Sequence, residues 1–207
     1  MSGRVESYAD LAVAVLATPP RLGRVRLVAV DGPAGSGKTT FAGRLAAALR
    51  ARAASVGEVH TDDLLNGWVD IVAFWPRLER WILEPLRRGE AGRYQPYDWH
   101  AARFDEQWRA VPLPDVLIVE GVTSARAAAQ PYLGLGILVD ADRDLRLARG
   151  IAREGEAMRG EWVRWMADED RHFAADDTRS RAHIVVDGAP TLPHDPEREY
   201  VALLKRA

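Results

Sequence analysis

The segment Gly32-Pro33-Ala34-Gly35-Ser36-Gly37-Lys38-Thr39 constrains the fold of this chain more than any other. It satisfies G-x-x-x-x-G-K-[ST] in full. Residues 24–30 (RVRLVAV) precede it and turn wholly apolar toward their end, as a strand buried on both faces does. Residues 39–54 follow it, rich in Ala and Leu, and read as a long helix. Glycines let the turn between them curl so that successive N–H groups point inward as an anion nest. The start of the helix adds its positive end. Lys38 then reaches terminal phosphates, the Thr39 hydroxyl is placed to coordinate Mg²⁺, and Thr40 continues the site into the helix. At average residue frequencies a chance match falls at about the 1% level. The flanking strand and helix lower that further, so a bare glycine turn with an exposed lysine is a poor account of the segment.

The remaining chain alternates strands with helices. Residues 57–60, 115–119 (DVLIV), 135–139 (LGILV) and 182–186 (AHIVV) read as strands. Helices are expected over 7–16, within 69–88 (interrupted by Pro76 and Pro85), over 142–154 and 158–175, and at the C-terminus over 196–204. Residues 89–103, rich in Gly, Tyr and Pro, read as a β-ribbon excursion. This alternation predicts a three-layer α/β domain with a parallel sheet of about five strands. A length of 207 residues fits a single domain over 1–207, with an acceptor-side insertion at about 64–110 and an Arg-bearing helical lid at about 143–160.

Composition removes several function classes. A net charge of −2 and a pI near 6.2 give no reason to expect nucleic acid or an anionic membrane as partner. Cysteine is absent, which excludes disulfides, thiolate metal sites and a Cys nucleophile. No apolar run approaches the roughly 20 residues that span a bilayer. The first residues lack the apolar core of a signal peptide, so a cytoplasmic location is expected. A homo-oligomer stays open.

Two acids stand at strand ends, where an α/β sheet presents its ligand-binding edge. Glu120 follows DVLIV directly and suits the organisation of Mg²⁺ and its waters, in preference to a surface turn. Asp62 and Asp63 follow the strand ending at His60; an aspartate there suits taking a proton from an acceptor hydroxyl, while both also suit a helix N-cap. Asp140 ends a strand too, but Asp142 and Asp144 follow it, and this group reads as the acidic first turn of a helix. Arg146, Arg149 and Arg153 recur at helical spacing. Guanidinium groups stabilise the charge spread over a transferring phosphoryl group, and Arg149 and Arg153 are assigned that role. Pairing with neighbouring acids is the plainer account of Arg143. Tyr97 and Trp99 are candidates to stack on a flat acceptor, whereas Trp75 and Trp81 lie on a helix stripe and read as packing.

Together these residues resemble the uridine kinase-like branch of the P-loop kinases, which also holds phosphoribulokinase and one type of pantothenate kinase. The resemblance runs over about 24–188 and is strongest at the phosphate loop. Thr61-Asp62-Asp63-Leu64 resembles the family's D-x-[FY] turn, which implies Asp62 as general base; a one-residue slip would make it Asp63. Val119-Glu120-Gly121 resembles its E-G turn, and Arg146–Glu154 its lid pattern R-L-x-R-R-[IV]-x-R-D. Residues 182–186 resemble the strand before the adenine-binding end loop, and Tyr97-Asp98-Trp99 the Y-D-F turn of the nucleoside pocket, with Arg103 nearby. Three positions depart: His100 comes too early after that turn, Gly150 stands where the lid carries a second Arg, and Glu154 replaces an Asp.

The expectation is therefore an ATP- and Mg²⁺-dependent kinase acting on a small-molecule hydroxyl. A uridine- or cytidine-like nucleoside leads as acceptor, and a sugar, vitamin precursor or antibiotic is the alternative. A regulatory nucleotide-binding protein with slow hydrolysis is the rival of another class. The N-K-x-D base-reading motif of GTPases is absent, which disfavours that rival.

Overall fold

The computed structural model describes residues 3–204, so residues 1–2 and 205–207 of the domain expected over 1–207 lie outside it. The chain opens with β1 (Gly3–Ser7), α1 (Tyr8–Ala17), β2 (Arg26–Asp31), α2 (Lys38–Arg50) and β3 (Val56–His60). A 3-10 turn (Thr61–Leu64) leads toward α3 (Trp75–Leu78), a π-helical stretch (Glu79–Leu83) and α4 (Glu84–Arg87), which run on continuously. The excursion holds β4 (Gly92–Tyr94), β5 (Tyr97–Asp98), β6 (Arg103–Phe104) and β7 (Arg109–Val111). The second half holds β8 (Val116–Glu120), β9 (Leu133–Asp140), α5 (Arg143–Glu154), α6 (Arg159–Asp176), α7 (Thr178–Arg181), β10 (Ile184–Asp187) and β11 (Glu199–Leu203).

The main sheet has the order β1-β11-β10-β9-β2-β8-β3. Its five strands from β10 to β3 are parallel, as expected. Two antiparallel strands, β11 and β1, extend one edge and were not expected. The C-terminal helix anticipated over 196–204 is instead β11. That segment completes ladders on both sides, with β10 and with β1, and buries Tyr200, Val201 and Ala202. Ladder bonds on two flanks outweigh the weak local preference of so short a segment.

The central strands show why the sheet carries two covering layers. Leu27 and Ala29 of β2 and Leu117 and Val119 of β8 face one core, which Leu78, Ile82 and Leu86 cover. Val28 and Val30 with Val116 and Ile118 face the other, covered by Leu11 and Val15 of α1 and by Phe41, Leu45 and Leu49 of α2. Alternation with period two puts successive side chains on opposite faces, and each fully buried Leu or Val contributes about 1.5–3 kcal/mol. Pro85 explains the π-helical stretch before it, because a proline there withholds an N–H from the preceding turn. No helix among the described residues is long and apolar enough to cross a membrane.

The excursion forms two small antiparallel ladders: β4–β7 packs against the π-helical stretch and α4, and β5–β6 packs against the 3-10 turn that follows β3. The expected lid divides at Gly155, whose φ of 93° breaks α5 from the turn that starts α6.

Candidate active site

The C-terminal ends of β2, β3 and β8 open on one cleft of about 1260 Å³. Gly35, Gly37, Lys38, Thr39 and Thr40 line its floor, and Asp62 lines one side. Gly32, Pro33 and Ser36 stand behind these residues, with Ser36 wholly buried. The loop curls because Gly35 and Gly37 have φ of 79° and 99°. Gly35 also allows α5 to approach: a Cβ there would come within 2.7 Å of the Arg146 carbonyl oxygen. The Lys38 ammonium is largely enclosed and acts electrostatically on four carboxylates, Asp31, Asp62, Glu120 and Glu169.

Glu120 lies beside the loop because β8 and β2 are adjacent parallel strands, with Val30 opposite Glu120 in register. Its Oε1 accepts from the Thr39 hydroxyl at 3.1 Å, and its Oε2 lies 2.7 Å from His60 Nδ1. Burial would raise the Glu120 pKa, but the His60 hydrogen bond, the Lys38 charge and the Thr39 hydrogen bond together hold it below the usual carboxylate value. The same hydrogen bond raises the His60 pKa against the opposing effect of burial. His60 is a partner that sequence reading missed, although its place opposite Glu120 follows from the pairing of β3 with β8.

Asp62 and Asp63 point to different tasks. Asp63 accepts from the Tyr94 hydroxyl and from Arg109 Nη1, each at 2.9 Å, and so ties β4 and β7 to the turn after β3. Asp62 lines the cleft and is exposed to it. Protein packed around the foot of the cleft shifts its carboxyl pKa upward through desolvation, while Lys38 opposes the rise.

Two buried acids that sequence reading passed over hold the frame. Asp31, at the end of β2, accepts backbone N–H bonds from Gly32 (2.7 Å), Thr123 (2.8 Å) and Ala125 (2.8 Å). It thereby fastens the phosphate loop to the loop after Glu120, where Thr123 adopts a left-handed φ of 66°. The available signal was an acid directly after a fully apolar strand. Glu169 of α6 accepts from Ala34 N and from Trp165 Nε1, each at 2.7 Å, and from Arg146 Nη1 at 3.3 Å. Its loop partner is 135 residues distant, and nothing local marked it.

Arg149 and Arg153 both line the cleft, but they are held differently. Arg149 donates to the carbonyls of Gly35 (2.9 Å) and Gly188 (3.1 Å), bridging the phosphate loop to the loop after β10. Arg153 pairs with Glu154 at 2.7 Å and lies 5.6 Å over the Trp162 ring. Gly150, where the family resemblance leads one to expect a second arginine, gives way to that same ring; a Cβ there would come within 2.4 Å of it. Trp162 also donates to Glu154 Oε2 at 2.7 Å. The first half of the segment expected as a lid is thus anchored to the frame, and Arg153 is the outer of its two cleft-lining arginines.

Of the three residues expected to touch the acceptor besides Asp62, only Trp99 lines the cleft. Its Nε1 donates to the Asp62 carbonyl at 3.2 Å. Tyr97 is buried behind it with ring centroids 5.2 Å apart, and Arg103 is exposed on β6, outside the lining. Trp68, Trp162 and Trp165 line the cleft instead, having carried no sequence signal beyond being aromatic. At the opposite end Tyr8, Phe41 and Tyr200 pack with tilted or edge-on rings, centroids 5.2–5.3 Å apart, beside the loop that follows β10.

No protein-family model and no curated protein matches the chain. Solved structures do. A possible uridine kinase from Bacillus stearothermophilus superposes with a TM-score of 0.62 at 23% identity, over 86% of this chain and 96% of that one. D-glycerate 3-kinase from Cryptococcus neoformans var. grubii gives 0.57 at 13% identity, over 90% and 97%. Phosphoribulokinase from Rhodobacter spheroides gives 0.54 at 17% identity, over 80% and 70%. The fold is that of the P-loop kinases. The similarity is one of architecture, and it spans three proteins named for different acceptors.

Proposed function

We propose that this protein is an ATP-dependent kinase that transfers the γ-phosphoryl group to a hydroxyl of a small molecule. The observation that carries the reading is one cleft lined together by a phosphate loop, its lysine and, from the neighbouring strand end, the aspartate Asp62. The loop amides and Lys38 hold the phosphates. Asp62 takes the proton of the acceptor hydroxyl as its oxygen bonds to the γ-phosphorus and the bond from that phosphorus to the bridging oxygen of ADP breaks. A raised pKa suits this base, since it brings proton affinity closer to that of the working pH. Arg153 supports the transferring charge from above, and Arg149 keeps the loop and the lid together.

Mg²⁺ fits the oxygen donors present. The Thr39 hydroxyl and Glu120 carboxylate are hard ligands, and this ion takes one or two such groups while keeping waters and phosphate oxygens. Among the described residues no cluster of three or more acidic or histidine side chains forms a self-sufficient metal cage, in keeping with an ion held jointly with nucleotide. Bound there, Mg²⁺ would neutralise phosphate charge.

A nucleoside remains the leading acceptor on the family resemblance, and the flat Trp99 ring beside Asp62 supports it. The absence of Tyr97 and Arg103 from the lining favours the second reading, a non-nucleoside metabolite. ADP release in the presence of MgATP tests the whole. Release that depends on an added acceptor, and that Lys38→Ala lowers by roughly 10²-fold or more, is the expected result. Slow hydrolysis indifferent to every acceptor would replace the kinase with a regulatory nucleotide-binding protein.

A further inference from the structure

Around Asp62 the cleft is walled by indole rings. The Trp68 centroid lies 5.5 Å from that of Trp99 and 5.7 Å from that of Trp165, each pair edge to face. Leu65 and Val122 continue the apolar wall. Trp99 keeps 38% of its surface exposed, and its hydrogen bond to the Asp62 carbonyl fixes that open ring against the segment bearing the base. Charge at this end is arranged against anions. Lys38 sits among four carboxylates and is taken up by the phosphates. Arg153, stacked on Trp162 and paired with Glu154, is taken up by the transferring phosphoryl group in the proposed reaction, and Arg149 is bound to the Gly35 and Gly188 carbonyls. His100 stands at the mouth with its backbone bonded to Asp98, whose carboxylate it faces. Arg93, Arg103 and Arg109, the cations of the nearby ribbons, lie outside the lining; Arg93 lies 4.8 Å over the Trp108 ring, and Arg109 is committed to Asp63.

A phosphate or carboxylate on the acceptor would enter this space beside the γ-phosphate and the Asp62 carboxylate, where among the described residues each lining cation is already engaged by a carboxylate, a carbonyl or the nucleotide phosphates. Like charges brought together in a partly desolvated site cost several kcal/mol. We propose that the acceptor carries no anionic group: it is a neutral or cationic hydroxyl compound that lays a flat or C–H-rich face on Trp99 and Trp68. This rests on the kinase reading and narrows it, excluding sugar phosphates and hydroxy acids as substrates.

Matched pairs of acceptors test it, each pair sharing a hydroxyl and differing by one anionic group. Uridine with orotidine, ribose with ribose 5-phosphate, glycerol with glycerate and pantothenol with pantothenate are suitable. Turnover is read as ADP release, and binding in the presence of MgADP as quenching of tryptophan fluorescence. The neutral member of any pair that is turned over should exceed its anionic partner by about tenfold or more in kcat/KM. For the best acceptor, Trp99→Ala should raise KM by roughly tenfold, with Trp99→Phe recovering most of the loss, both variants being read below their melting temperatures. Anionic members turned over as well as neutral ones would overturn the inference and leave the kinase reading standing. An unchanged acceptor KM in Trp99→Ala would likewise remove the tryptophan wall from the site. MgATP binding without acceptor-dependent ADP release from any pair would overturn the kinase reading, and the inference with it.

Discussion

Glu169→Gln isolates the contact that ties the phosphate loop to α5. Glu169 is fully buried, and its partner Arg146 is nearly so. The amide oxygen of Gln can take the place of Oε1 and still accept from Ala34 N and Trp165 Nε1, which donate to it at 2.7 Å. The amide nitrogen must then face Arg146 Nη1, donor against donor, where Oε2 now accepts at 3.3 Å. Arg146 keeps one hydrogen bond, from Nε to the Ala141 carbonyl at 3.2 Å, and is otherwise a buried cation without its counter-charge. A charge-assisted hydrogen bond is worth about 1.5–3 kcal/mol, and stranding one member of a buried pair costs about 3–5 kcal/mol. Burial already raises the Glu169 pKa, so part of the carboxylate's own desolvation cost disappears with the substitution. A net loss of about 2–4 kcal/mol follows. With a urea m-value of about 2.5 kcal/mol/M, the unfolding midpoint should fall by about 1 M. Gln is preferred to Ala because Ala would strip all three donors together. A midpoint within about 0.2 M of the wild type would refute the account, since it would mean that Arg146 finds another partner or that the pair contributes nothing.

Asp62→Asn should lower turnover by roughly 10²- to 10⁴-fold with little change in ATP affinity, whereas Asp63→Asn should act mainly on stability by freeing Tyr94 and Arg109; steady-state kinetics and thermal melts of both variants separate the roles, and the reverse pattern would move the base to Asp63. Arg153→Ala should reduce kcat more than it weakens ATP binding if, as proposed, its contact is with the transferring charge; equal losses in both would make it a ground-state contact. Asp31 gives a pH signature. Burial pushes its pKa from 3.8 up to about 6, so the folded protein holds this proton more tightly than the unfolded chain. Its contribution therefore becomes less favourable as pH climbs from about 4 to about 6, by about 3 kcal/mol in all. The stability advantage of the wild type over Asp31→Asn should accordingly widen by about 1–3 kcal/mol between pH 7.5 and pH 4.5 in denaturant titrations, and parallel pH profiles would contradict the raised pKa.

The phosphate loop and the ends of β3 and β8 were legible in the sequence because their determinants are contiguous. A run of apolar residues makes the strand, the glycines make the turn, and the acid or lysine that follows is delivered to the same sheet edge whatever else the chain does. Glu120 and the Asp62–Asp63 pair were found in that way. Which aspartate faces the cleft was not, since Tyr94 and Arg109 of the small ribbons claim Asp63 from more than thirty residues away. The departure at Gly150 was visible in the sequence, but its cause is the Trp162 ring of the next helix. Tyr97 and Trp99 stood as equal candidates two residues apart. Trp99 reached the cleft, while Tyr97 was turned into the packing behind it. Within the segment 196–204, Glu199–Leu203 became a strand because β10 and β1 offer ladders on both flanks, a circumstance that local propensity does not encode. Local sequence determined the strand–turn–helix geometry and the chemistry at its tips, through short-range sterics and periodicity. The tertiary structure decided which side chains share the cleft and which are spent on holding it, because that choice depends on partners brought together only when the sheet and its two layers close.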